Sequence, residues 1–167
     1  MFGQFRARIT GCVAVAVAIF GCKTTGHRNS DVQGYVSEGP SYLWPKDSAG
    51  KVTVPVCWEN PDDSSADIKF KIKNIVTKEY GPLAIYFVGW DGCAESSRGI
   101  RIRDQDTADR FVRAFGAKLD GIKDGMMLNL NYKKTEPPCR PEYLDNCLLN
   151  DALHEFGHAI GLRHEAN

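Results

Sequence analysis

The chain has four histidines, and three of them, His154, His158 and His164, fall within one short stretch. Their spacing constrains the fold more than any other feature. His154 and His158 are four residues apart, so on a helix they lie one turn above the other on the same face. Two imidazoles placed in this way can reach a single zinc ion at about 2.0–2.1 Å. His164 comes six residues after His158, and a straight helix of 3.6 residues per turn would aim it about 120° or more away. The chain must therefore bend. Gly161 stands where the helix should stop, and glycine accepts the left-handed backbone of a C-terminal cap without steric cost.

Three histidines leave a fourth position on zinc for water, which is the arrangement of a catalytic rather than a structural site. Glu155 follows the first ligand and rotates off the ligand line, so it can address that water instead of the metal. Zinc lowers the pKa of bound water towards about 7. Glu155 can then take the proton and deliver it to a leaving amine. Ordinary histidines on an amphipathic helix are the rival reading, and the clustering of three out of four argues against it.

Residues 154–164 read HEFGHAIGLRH, an HExxHxxGxxH motif that resembles the metzincin zinc peptidases. Glu165 after the third histidine is similar to the astacin-like and matrixin-like peptidases of bacteria. The resemblance implies zinc ligands His154, His158 and His164, a general base at Glu155, and Zn2+ as cofactor. It implies an α+β fold with a zincin-like N-terminal subdomain: a small mixed, twisted sheet of five strands with two long helices, the second bearing HExxH. It also implies an extended peptide substrate along the edge strand of that sheet. Residues 126–132 precede the zinc helix across one loop and are expected at that edge, with Met127, Leu128, Asn129 and Leu130 pairing with substrate. A plain internal strand is the other reading of the same residues. The family's Met-turn has no counterpart, because Met1, Met126 and Met127 all precede the motif. The domain is therefore expected to be incomplete, without the C-terminal subdomain, and to bind zinc weakly and hydrolyse little on its own. The expected function is a zinc metalloendopeptidase. The alternative is a non-catalytic surface lipoprotein that uses a degenerate or truncated protease domain as a binding module.

The N-terminal residues are expected to direct export. Arg6 and Arg8 precede an apolar run at 9–20, which is short for a membrane span and has the length of a signal core. Ile19-Phe20-Gly21-Cys22 resembles a bacterial lipobox, which implies a lipid on Cys22 and a membrane-anchored product. An ordinary secretory peptide cut nearby is the alternative. Residues 1–22 are thus read as a signal, 23–50 (rich in Gly, Ser, Thr, Asn, Asp and Pro) as a flexible tether, and 51–167 as the catalytic domain. Four cysteines remain, Cys57, Cys93, Cys139 and Cys147, and an even set in an exported chain suggests two disulfides. Three connectivities are open, with Cys57–Cys93 and Cys139–Cys147 favoured. A cysteine zinc site is disfavoured, as no CxxC spacing occurs. Lys plus Arg and Asp plus Glu number 21 each, which gives no reason to expect a nucleic-acid partner. A monomer acting on protein or peptide is expected.

Along the body, 51–58 (KVTVPVCW) reads as a strand, with Pro55 arguing for an edge or a bulge. Residues 67–80 place Ile68, Ile72, Ile75 and Val76 at helical spacing, and Gly81-Pro82 ends that helix. Residues 83–90 (LAIYFVGW), a short apolar and aromatic run, read as a central strand, and 100–103 as a short strand. Residues 106–119 read as a helix or an irregular insertion carrying one, 126–132 as a strand, 133–146 as a Pro-rich loop, and 148–160 as the zinc helix.

Overall fold

The computed structural model of the chain describes residues 35–36, 39–61, 65–106, 109–130 and 143–164. In chain order the elements are β1 (Tyr35–Val36), β2 (Val52–Trp58), α1 (Ala66–Tyr80), β3 (Ile85–Gly92), β4 (Ile100–Asp104), β5 (Phe111–Val112), β6 (Met126–Leu128), α2 (Leu144–Ala159) and β7 (Leu162–Arg163). Short 3-10 turns lie at Pro40–Tyr42, Gly81–Leu83 and Gly116–Leu119. Five strands form one mixed sheet in the order β3-β2-β4-β6-β5, so β3 is an edge strand and not the central one that its apolar run suggests. Its pairs are parallel except for β5, which runs antiparallel to β6 at the edge. Strands β1 and β7 form a separate antiparallel ribbon. The fold is α+β, a mixed sheet with two α-helices among the described residues, as the sequence predicts.

Strand β2 alternates Val52, Val54 and Val56 inward with Thr53 and Pro55 outward. It lies inside the sheet, yet Pro55 precedes the residues that pair with β4, so its missing N–H falls where the strand has one neighbour only. A bulge follows: Val56 pairs with Gly89 and Trp58 with Gly92, so β3 spends three residues where β2 spends two. Gly89 adopts a φ of 92°, and a Cβ there would lie 2.8 Å from the Val56 carbonyl oxygen. Simple alternation would send Trp90 outward with exposed Val88. The bulge turns it into the core instead, where it is 9% exposed.

Helix α1 buries Ile72, Val76 and Tyr80, four residues apart, and α2 buries Ala152, Phe156 and Ala159. Phe156 is fully buried, edge-on to Phe87 with centroids 4.8 Å apart and stacked on Trp90 at 5.7 Å. The Tyr80 hydroxyl donates to the Leu153 carbonyl at 2.8 Å, which ties the end of α1 to the middle of α2. These contacts fix α2, which carries His154 and His158, against the sheet.

The structure corrects three boundaries. Within 106–119 the described residues form β5 and a 3-10 turn, with no α-helix. The apolar residues of this segment serve different partners: Phe111 is at the surface, while Phe115 meets the His158 ring. Helix α2 begins at Leu144, earlier than expected, because Leu144 and Cys147 already pack on the core. The expected tether is in part folded onto the domain. Residues 39–50 belong to the body, Trp44 is 8% exposed within the core, and β1 pairs with β7; residues 23–34 and 37–38 lie outside the described residues.

Cys57 and Cys93 form a disulfide. Cys147 is also disulfide-bonded, and Cys139, its expected partner, lies outside the described residues. The expected signal, with Cys22, lies outside them as well. Among the described residues no helix is long and apolar enough to cross a membrane.

Candidate metal centre

Helix α2 delivers His154 and His158 from successive turns. Its end is made by Ile160, whose N–H donates to the Phe156 carbonyl at 3.0 Å, and by Gly161, whose N–H donates to the His158 carbonyl at 2.9 Å. Gly161 takes a φ of 106°, which redirects the chain into β7 and brings His164 back over the helix. The three Nε2 atoms then converge: 3.1 Å separates His154 from His158, 3.0 Å separates His158 from His164, and 3.0 Å separates His164 from His154.

These spacings fit one small cation. A tetrahedral zinc with bonds of about 2.0–2.1 Å holds its nitrogens about 3.3 Å apart. The Nδ1 of His158 lies 2.8 Å from the Leu162 carbonyl oxygen. A carbonyl only accepts, so Nδ1 carries the proton and Nε2 presents a lone pair to the centre. The His158 ring also receives Phe115 edge-on, with centroids 5.2 Å apart. Burial drives His154 down to about 4, with His158, His164 and Arg110 adding to the fall. Burial lowers His158 too, against the Leu162 hydrogen bond and with His164 reinforcing it. Neutral imidazoles are the form that binds metal.

Glu155 is 4% exposed, and its buried Oε2 has no hydrogen-bond partner among the described residues. Burial pushes its carboxyl up to about 7, the charge of Asp151 adding to the rise and Arg110 opposing it. A carboxylate that exchanges its proton near neutrality suits general acid–base work. Arg110, just ahead of the edge strand, is ion-paired to Asp151 on α2 at 2.9 Å. The sequence reading missed Arg110, Phe115 and Trp44. A lone Trp in a segment rich in turn-forming residues was the one available signal.

The structure does not place Met127, Leu128, Asn129 and Leu130 at the sheet edge. Met126 and Met127 lie between β4 and β5, and all four expected substrate residues are buried. The Leu128 carbonyl accepts from the Gln105 N–H at 2.9 Å, and the Leu130 N–H donates to Asp104 Oδ1 at 3.1 Å. The antiparallel edge belongs to Phe111–Val112.

No protein-family model and no curated protein sequence matches the chain. Among solved structures its fold is similar to high choriolytic enzyme 1, a hatching enzyme zinc-protease from the medaka fish Oryzias latipes, with a TM-score of 0.52 and 20% sequence identity. The similarity covers 79% of this chain and 55% of that one, so the chain spans about half the length of that structure.

Proposed function

We propose that the chain is a zinc metalloendopeptidase of the metzincin type. The observation that carries this reading is the triangle of Nε2 atoms from His154, His158 and His164, all within 3.0–3.1 Å of one another. These three residues would hold the ion. Zinc, when bound, supplies a Lewis acid that polarises a carbonyl and acidifies water. Glu155 takes the proton from the attacking water on its buried carboxylate. It then passes that proton to the departing amine. An extended peptide would add to the sheet along β5, since that is the outer, antiparallel strand, and would gain main-chain hydrogen bonds there. The zinc-protease neighbour supports the same reading through its fold.

Export is part of the proposal, with residues 1–22 as signal and Cys22 as the lipid-bearing residue. The Cys57–Cys93 disulfide supports it, because such bonds persist in oxidising compartments.

Glu155→Gln tests the catalytic role. Peptide hydrolysis should fall by about 10²–10⁴-fold while zinc is retained, on the scale of a lost general base. A chain that binds zinc and peptide equally well with or without the substitution, and cleaves in neither case, is a binding module instead.

A further inference from the structure

The segment that carries the third imidazole is held by α2 itself and also by residues far upstream. The last carbonyls of a helix lack partners within it. In α2 the Ala159 carbonyl accepts the indole N–H of Trp44 at 2.7 Å, across 115 positions of sequence and within the core. Two residues earlier, the Tyr42 carbonyl is wedged against Gly116 and Gly161. A Cβ on Gly116 would come within 1.8 Å of that oxygen, and one on Gly161 within 3.7 Å. The Arg163 guanidinium lies over the rings of Tyr42 at 5.5 Å and Phe115 at 5.2 Å, and Phe115 in turn meets His158. Strand β7 pairs with β1 in the register Tyr35 to Arg163 and Val36 to Leu162, and it is not a strand of the five-stranded sheet. Ala159, Gly161 and β7 are thus each met by residues from 35–36 and 39–44.

We propose that residues 35–36 and 39–44 act as a strap that positions His164 for metal binding, with Trp44 as the principal positioning residue. The strap sets where the chain leaves α2 and how the β7 arm lies over it. A metal site tolerates only about ±0.2 Å in its ligand distances. An arm freed at Ala159 and Leu162 would sample positions in which the third Nε2 misses the other two. Zinc affinity should then depend on an indole that touches no ligand. This proposal rests on the reading of the three histidines as a metal site.

The test is zinc affinity of the full chain, measured by competition with a chelating dye well below the unfolding temperature. Trp44→Phe keeps a ring but loses the N–H, and should weaken zinc binding about tenfold, the scale of one buried hydrogen bond. Asn60→Ala is the control. It loses side-chain hydrogen bonds to the Asp104 carbonyl at 2.9 Å and from the Asp104 N–H at 3.0 Å, which join the chain after β2 to the end of β4 and not to α2 or β7, and it should leave zinc affinity within about twofold. Arg163→Ala is a surface change that keeps the assay informative should Trp44→Phe not fold. Removing a positive charge beside a cation site tightens binding by electrostatics alone. The strap predicts the opposite, a weakening of about threefold from the lost ring contacts. Unchanged affinity in folded Trp44→Phe, or tighter binding in Arg163→Ala, overturns the strap while leaving the metal site intact. Failure of the unsubstituted chain to take up zinc overturns the metal reading and the strap with it.

Discussion

The ring nitrogen Nδ1 of His158 donates to the carbonyl oxygen of Leu162 at 2.8 Å, so the second imidazole holds the arm that delivers the third. One bond thereby sets the tautomer of one proposed ligand and the path of another. The consequences can be checked at the turn, in the sheet and at the disulfide.

Gly161 makes the turn at a φ of 106°, where a Cβ would meet nothing closer than 3.7 Å. The expected cost of Gly161→Ala is therefore conformational rather than steric, about 1–2 kcal/mol. The strain falls on the arm bearing His164, so zinc affinity should drop by roughly tenfold. Chelator competition measures this, and an alanine variant that binds zinc as well as the parent would show that the arm does not need this backbone.

Arg101 and Glu59 form a buried pair on the sheet, 2.8 Å from Nε to Oε1, with side chains 7% and 6% exposed. The Asp124 N–H donates to the same carboxylate at 3.2 Å. Burial pushes the Glu59 carboxyl up, but the Arg101 hydrogen bond, the Asp124 N–H and the Arg101 charge outweigh it and leave the group below its ordinary 4.5. In the window between the folded value and 4.5 the unfolded chain binds more protons, so stability rises with pH there. The contribution is complete above 4.5 and is lost as pH falls through the folded value. Glu59→Gln should cost about 3 kcal/mol near neutrality by leaving Arg101 buried without its counter-charge. Urea unfolding at a series of pH values should show the gap between parent and variant closing in acid. A constant gap would mean that the carboxylate's charge is not what stabilises.

The Cys57–Cys93 bridge closes a loop of 36 residues between β2 and the end of β3. The loop-entropy relation puts its contribution at about 3–4 kcal/mol. Replacing both cysteines by serine should lower the melting temperature measured by circular dichroism. Since the bridge touches no ligand, zinc affinity of the folded variant should stay within about twofold. Loss of zinc in a variant that remains folded would tie the bridge to the site.

Local features were legible in the sequence, and long-range ones were not. His154, His158 and Gly161 act through helical spacing and a single turn, so their arrangement could be derived before any tertiary contact was known. The buried helical stripe of Ile72 and Val76 and the Val alternation of β2 were equally readable. Trp44 was not, because nothing near it in sequence announces a hydrogen bond to Ala159 across 115 positions. Strand β5 is two residues long, too short to show a period, so residues 106–119 read as helical and the sheet edge was assigned to its inner neighbour β6. The bulge at Gly89, which turns Trp90 into the core against simple alternation, likewise had no signal in the sequence.

If His154, His158 and His164 hold one zinc ion, metal analysis of the zinc-loaded and dialysed chain should find about one zinc per chain, and X-ray absorption at the zinc edge should find three nitrogen neighbours at about 2.0–2.1 Å. His158→Ala should weaken the binding by well over tenfold. A folded chain that retains no stoichiometric zinc, or that binds it equally well without His158, would show that the three imidazoles are not a metal site.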